Sequence, residues 1–112
     1  MARHVLVALT NAADGRDDEF NDWYNNQHLG DVLQIPGFVS AQRFKLGAAQ
    51  RMASPPYKYL TLYEIETDNI QETMSALSAR SGTALMPISD TLHADRLAAV
   101  FEPMAPPVLR KQ

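Results

Sequence analysis

Residues 14–38 read DGRDDEFNDWYNNQHLGDVLQIPGF, and this stretch decides the fold. It contains five side chains at the spacing i, i+3, i+4, i+7 and i+8, which places them on one face of a helix: Phe20, Trp23, Tyr24, Gln27 and His28. The pattern therefore predicts an amphipathic helix that carries one histidine to the end of its apolar, largely aromatic face.

The same stretch predicts where this helix begins and ends. Asp14 is the expected N-cap, and the acidic residues at 17–19 suit the positive end of the helix dipole. Gly30 is expected to end the helix in a left-handed conformation. Pro36 and Gly37 are expected to form the turn before the next strand.

Apolar and alternating segments on either side complete the pattern. Four strands are predicted at residues 4–10, 38–46, 57–66 and 96–102. A second helix is predicted to begin near Asp68 with Gln71 at the third position of a capping box, and to end at Gly82; its apolar stripe is Ile70, Met74 and Leu77. The order β-α-β-β-α-β predicts an α+β, ferredoxin-like domain with a four-stranded antiparallel sheet at residues 1–102. The proline-rich residues 103–112 are expected to form an extended tail.

Most of the predicted strands carry apolar residues on both faces. Strict alternation in the second strand would place Phe38 and Phe44 on one face and Arg43 on the other. Since both helices cover the same side of a ferredoxin-like sheet, the other side is left bare and apolar. Such a face is usually covered by another subunit. The sequence therefore predicts a homodimer with the two sheets face to face, and with each tail lying over the neighbouring subunit.

Composition excludes several classes of function. The 112 residues carry a net charge of −3 with no basic run, which gives no support for binding nucleic acid or an anionic membrane. No apolar stretch approaches the roughly 20 residues that span a bilayer, and the start lacks a signal-peptide pattern, so a cytoplasmic location is expected. There is no cysteine, and the three histidines are not spaced as metal ligands. Neither a metal nor a cofactor is predicted.

His28 is the candidate catalytic residue. A titratable imidazole among aromatic rings at a helix end suits acid–base chemistry, and the opposing effects of the helix dipole and burial are expected to hold its pKa near neutrality. The alternative is that His28 only interacts with the end of its helix. Asp31 could orient the imidazole or could cap the turn at residues 32–35. Tyr24 could donate a hydrogen bond to a substrate oxygen or could pack in the core.

Five further residues are candidates for binding a substrate. Trp23 is expected to form a wall of the pocket or an anchor in the core, and Tyr59 and Tyr63 to line the pocket or to pack between strands. Arg43 could bind a substrate carboxylate, although a surface ion pair is the alternative. His93 lies before the last strand and is either a residue of the pocket rim or an uninvolved surface group.

Residues 15–44 resemble the EthD-like family of the dimeric α+β barrel superfamily. The resemblance lies in Trp23-Tyr24, in the run at residues 28–32, in the Ile-Pro-Gly-Phe turn at 35–38 and in the end of the second strand at 42–44. Gly30 stands where relatives usually have proline. The resemblance implies a pocket between the helices and the sheet of each subunit that holds a small, often aromatic or polyketide-like molecule. It also implies that His28 is the functional histidine.

Three hypotheses of function follow. The first is a cofactor-independent enzyme that uses His28 as a general acid–base on a small hydrophobic or aromatic molecule, in decarboxylase, lyase or isomerase chemistry or, alternatively, as a cofactor-free monooxygenase. The second is a non-catalytic protein that only binds such a metabolite. The third is haem binding, with His28 or His93 as the axial ligand. The fold alone does not choose among them.

Overall fold

Four strands and four helical segments follow one another in the computed structural model, which describes residues 2–112. In chain order they are β1 (Ala2–Thr10), α1 (Asp17–Trp23), a π-helical turn (Tyr24–His28), α2 (Leu29–Val32), β2 (Phe38–Lys45), β3 (Tyr59–Thr67), α3 (Ile70–Arg80) and β4 (Leu97–Phe101). The strands form one antiparallel sheet in the order β2-β3-β1-β4. The predicted ferredoxin-like α+β fold is confirmed.

The alternation of side chains in β1 and β3 separates the two faces of the sheet. On the helix side, Tyr59, Thr61, Tyr63 and Ile65 of β3 are all buried. They lie opposite Thr10, Ala8, Leu6 and His4 of β1 respectively. The other face is also apolar, as predicted, because Val5, Val7 and Leu9 of β1 alternate with these residues and Leu60 and Leu62 alternate with the tyrosines. None of the helices formed by residues 2–112 covers this second face.

The predicted alternation in β2 was wrong at its first residue. A bulge shifts the register between Phe38 and Ser40, so that Phe38 pairs with Ile65 while Arg43 pairs with Thr61. Because a bulge adds one residue to one strand, it changes which face the preceding side chains occupy. Phe38 is therefore buried on the helix side, where Arg43 is half-buried, whereas Phe44 is exposed on the opposite face.

The predicted ends of the first helix were also wrong. Asp14 does not cap it: Arg16 occupies the N-cap position, without a side-chain hydrogen bond, and α1 begins at Asp17. Gly30 lies inside α2 without a positive φ, and the helical segment continues to Val32. The continuation is stabilised by burial, since Val32 and the following Ile35 are almost completely enclosed in the core. The predicted turn at residues 36 and 37 is present, with Gly37 at a φ of 101°.

The second long helix, α3, begins one residue later than its predicted capping box implies. Asn69 is the N-cap, and its side-chain oxygen accepts a hydrogen bond of 3.1 Å from the backbone N–H of Glu72. Asp68 and Gln71 are therefore not the capping pair. The predicted apolar stripe packs against the core, and Gly82 follows the helix end with a φ of 82°.

Residues 102–112 follow β4 as an exposed segment without helix or strand. Across residues 2–112, the helices are all too short or too polar to cross a membrane.

Candidate functional site

A cavity of about 270 Å³ lies between the helices and the sheet. Most of its wall is apolar and comes from β1, α2, α3 and the segment around Met86. Its polar lining includes Thr10, Tyr24, His28, Tyr63 and Arg96. A small apolar cavity with a few converging polar groups is typical of a site for a small ligand.

The π-helical turn determines where His28 lies. In an α-helix, residues five apart differ in direction by about 140°, which would separate Trp23 from His28. Here the backbone N–H of Leu29 donates to the carbonyl of Tyr24, five residues earlier, and the turn is wider. The His28 ring consequently stacks on Trp23 at 4.7 Å and an interplanar angle of 26°, and contacts Tyr24 edge-on at 4.9 Å. Gln27, predicted on the same face, is exposed.

Burial lowers the pKa of His28 from 6.5 to about 4. Asp31 opposes this shift, and the positive charges of Arg96 and Arg43 add to it. The expected near-neutral pKa was wrong, because burial disfavours the charged ring and because the helical segment continues to Val32, beyond His28. His28 is therefore an uncharged imidazole at neutral pH. Its Nδ1 is buried and has no hydrogen-bond partner among residues 2–112.

Two tyrosine hydroxyls meet beside the histidine. The hydroxyls of Tyr24 and Tyr63 are 3.4 Å apart in a buried position. Burial raises the pKa of Tyr63, and the neighbouring Tyr24 adds to the rise. The phenol of Tyr63 therefore stays protonated at neutral pH, where it can donate a hydrogen bond but carries no charge.

Arg43 lies on the far side of Tyr24 and does not line the cavity. Its guanidinium carbon is 4.3 Å from the ring centre of Tyr24, and the rings of Phe20 and Tyr59 lie at 5.4 and 5.3 Å. Its Nη1 donates a hydrogen bond of 3.0 Å to Asn25. The surface ion pair considered for Arg43 is not formed with any residue of 2–112. The aromatic rings replace it as cation–π partners.

The other predicted site residues lie around the cavity rather than in it. Trp23 stacks on the His28 ring and does not itself line the cavity. Tyr59 donates a hydrogen bond of 2.6 Å to Asp17. Asp31 accepts from Gln27 at 2.8 Å, so it acts on His28 through its charge and neither orients the ring by a hydrogen bond nor caps the following turn with its side chain. His93 is exposed and does not line the cavity, and its Nδ1 accepts from the backbone N–H of Asp95 at 2.9 Å.

Sequence reasoning missed four polar residues of the cavity, which are Thr10, Ser78, Ser81 and Arg96. Thr10 is 3% exposed, and its hydroxyl oxygen has no partner among residues 2–112. The alternation of side chains along β1 could have revealed it, because Thr10 lies on the same side of the strand as Leu6 and Ala8. Arg96 was visible only as the residue before the last strand, and its position at the cavity depends on how that strand pairs with β1.

The cavity does not fit a haem. Its volume of about 270 Å³ is just below the range for small-ligand pockets, about 300–1,000 Å³. His28 is held between the rings of Trp23 and Tyr24, and its Nδ1 is enclosed. His93 has its Nδ1 occupied by a backbone hydrogen bond. Residues 2–112 also contain no group of three histidine, aspartate or glutamate side chains that could hold a metal ion.

No protein-family model and no curated protein matches this chain in sequence. Solved structures do match. An EthD family protein from Bacillus halodurans superimposes with a TM-score of 0.57 at 14% identity, over 93% of this chain and 100% of the other. A candidate monooxygenase from Shewanella loihica gives 0.62 at 11%, over 94% and 97% of the two chains. The haem-degrading protein MhuD from Mycobacterium tuberculosis gives 0.59 at 16%, over 94% and 99%. The chain therefore has the ferredoxin-like α+β fold that the EthD family protein and these other relatives share.

Proposed function

We propose that this protein is a cofactor-independent enzyme of the monooxygenase type, in which His28 removes a proton from a small hydrophobic or aromatic substrate. The observation that carries the proposal is a neutral imidazole at the wall of an apolar cavity, with a pKa lowered to about 4. Such a group is unprotonated at neutral pH and can therefore accept a proton, and its lowered pKa makes it a weaker base than a free imidazole. The surrounding apolar wall limits competition from water.

The chemistry needs only the substrate and dioxygen. His28 takes a proton from a carbon next to a carbonyl or an electron-rich ring, and the resulting carbanion is stabilised by the hydroxyls of Tyr24 and Tyr63. The carbanion gives its electrons to dioxygen and combines with it to form a peroxide anion, which takes back the proton from His28 and becomes a hydroperoxide. The hydroperoxide then loses water, which includes the second hydrogen of the same carbon. One oxygen atom remains in the product as a carbonyl and the other leaves as water, so no external reductant is required. The structural similarity to the Shewanella loihica protein supports this reading.

The same base could also support an isomerase, decarboxylase or lyase, in which the carbanion is reprotonated or loses a leaving group without dioxygen. The deciding difference is the fate of the carbanion. A protein that only binds the metabolite would need neither the base nor dioxygen. These three possibilities give different results in one experiment.

That experiment uses 2-tetralone, a two-ring ketone whose CH₂ group between the ring and the carbonyl is acidic. Exchange of this group in D₂O under argon, followed by proton NMR, measures proton removal. Oxygen consumption in air measures oxygenation. We expect the protein to accelerate both reactions and His28→Gln to reduce both by about 10² or more, the usual contribution of a general base. His93→Gln is the matched control, since His93 is exposed and outside the cavity.

Each hypothesis is tested by a separate outcome. Exchange without oxygen consumption would replace the monooxygenase with an isomerase or lyase. Binding without any acceleration would leave a metabolite-binding protein. A folded His28→Gln variant with the normal exchange rate would show that His28 is not the base.

We also propose that the enzyme acts as a homodimer through the sheet face that the helices leave bare. Leu97 and Phe101 of β4 are 46% and 56% exposed on this face. The tail adds exposed Met104, Val108 and Leu109, which suit a position over the neighbouring subunit. Light scattering after size exclusion should give about twice the chain mass of 12.5 kDa, and Phe101→Lys should shift the protein towards the single-chain mass. A single-chain mass for the unaltered protein at micromolar concentration would contradict the dimer.

A further inference from the structure

Two polar side chains occupy the end of the cavity nearest β4. Thr10 is the last residue of β1, and Arg96 comes immediately before β4. Leu9 pairs with Leu97 across these antiparallel strands, so the next step of the same register brings Arg96 opposite Thr10. Both residues line the cavity. The register therefore places both residues at the same end of the cavity, whose other hydroxyl groups come from Tyr24, Tyr63, Ser78 and Ser81.

Neither side chain is satisfied within the part of the chain that the structure describes. The hydroxyl of Thr10 is buried without a hydrogen-bond partner, and such a group normally finds one. Arg96 forms no ion pair with residues 2–112. No carboxylate lines this cavity to neutralise the guanidinium. Arg96 is exposed at the edge of the cavity. A buried hydroxyl without a partner, at the same cavity as an arginine that forms no ion pair, points to an anionic ligand.

We propose that Thr10 and Arg96 form a carboxylate-binding subsite, so that the substrate is an aromatic or hydrophobic carboxylate. The planar guanidinium can donate two parallel N–H hydrogen bonds to a carboxylate, and the Thr10 hydroxyl can donate a third hydrogen bond through its O–H. The apolar body of the molecule then extends along Val32, Leu77 and Met86. This inference rests on the proposed function only in placing the substrate in the same cavity.

The subsite also affects the base. Arg96 is one of the charges that lower the pKa of His28, after burial. A carboxylate bound against Arg96 offsets that positive charge, because an anion nearby favours the protonated imidazole. His28 therefore becomes a stronger base when a substrate of the right charge is bound, and a neutral analogue lacks this effect.

The test compares two probes of nearly the same shape, 2-naphthoate and the uncharged 2-naphthamide. Trp23 is the only tryptophan of the chain and stacks on His28, which lines the cavity. Its indole N–H signal in a nitrogen–proton NMR spectrum therefore reports on binding at this site. We expect naphthoate to bind at least about tenfold more tightly than naphthamide, within the range for hydrogen bonds to charged groups.

Variants assign the difference to the two residues. Arg96→Gln should weaken naphthoate about tenfold or more and leave naphthamide unchanged, and Thr10→Val should weaken naphthoate by a smaller factor. Arg96→Lys should retain part of the preference, since it keeps the charge but loses the planar fork. Arg51→Gln removes an exposed arginine from the loop between β2 and β3 and is the matched control.

Three results would each overturn the subsite. The two probes could bind equally well, naphthoate could fail to bind at millimolar concentration, or Arg96→Gln could weaken both probes to the same extent. His28→Gln separates this result from the proposed function. That variant should still prefer naphthoate to naphthamide although its proton-transfer rate is lost. Preference without catalysis in the unaltered protein would leave the subsite in place and overturn the enzyme instead.

Discussion

Lowering the pH should destabilise the protein, and the structure predicts how much of this loss comes from His28. The folded state holds this imidazole at a pKa of about 4, whereas the unfolded chain has its ordinary value of 6.5. Between these values the unfolded state binds more protons than the folded state. The free energy of unfolding therefore falls as the pH drops below 6.5, and the contribution is fully present only above that value.

The two pKa values determine the size of the effect. For a single site, linkage gives a loss of about 2 kcal/mol between pH 7 and pH 5, and a limit of about 3 kcal/mol below pH 4. The first value would correspond to a roughly 30-fold change in the ratio of folded to unfolded protein. Asp31 moderates the loss, because its negative charge favours the protonated ring.

Urea unfolding of the unaltered protein and of His28→Gln at both pH values measures this contribution. Other groups titrate in the same range, so the difference between the two proteins is the quantity of interest. We expect the unaltered protein to lose about 2 kcal/mol more than the variant over this interval. Parallel losses in the two proteins would refute the reasoning, because they would show that His28 has the same pKa in the folded and unfolded states.

Substitutions at four further positions test local features of the fold, and each is checked by the free energy of unfolding in urea. Gly30→Ala should stabilise by up to about 1 kcal/mol, because a Cβ there meets nothing within 4 Å and the residue is helical; destabilisation would contradict the continuous helix. Gly37→Ala should destabilise by more than about 1 kcal/mol, since its φ of 101° is strained for other residues and the new Cβ would lie 3.4 Å from the carbonyl oxygen of Glu66; an unchanged stability would contradict the strain. Arg43→Met should cost about 2 kcal/mol if the aromatic rings stabilise the guanidinium, and Arg43→Lys should cost less. Asn69→Ala should cost about 1 kcal/mol as the loss of a helix cap, and no loss would mean that the bond to Glu72 is unimportant.

The sequence predicts best the strands, because the alternation of side chains along a strand depends only on the local backbone geometry. The tyrosines of β3 alternate at a period of two, and their common face was therefore predictable. The apolar character of both sheet faces followed from β1 in the same way. The order of the elements then left few possible topologies, and the ferredoxin-like sheet was the simple one.

The errors arose where one residue changes the phase of a regular element. The bulge after Phe38 and the wide turn at Tyr24–His28 both insert a residue, and no side-chain pattern marks either insertion. The sequence predicts a helix end at Gly30 because glycine often ends helices, but burial of Val32 stabilises the helix beyond this residue. The neutral state of His28 could not be predicted, since it depends on enclosure by residues from several elements.

The wide turn has a consequence for how this site could change during evolution. Its extra residue is absorbed locally, so Trp23 and His28 stack although they are five positions apart. Deleting one residue from 25–27 would leave them four positions apart, a spacing that an ordinary α-helix also places on one face, and would alter no side chain at the cavity. A one-residue insertion or deletion, of the kind usually tolerated only in loops, is thus a change that this helix can accommodate while it keeps the histidine at the cavity. An alignment that allows no gap inside the helix would match His28 with the wrong residue of a relative.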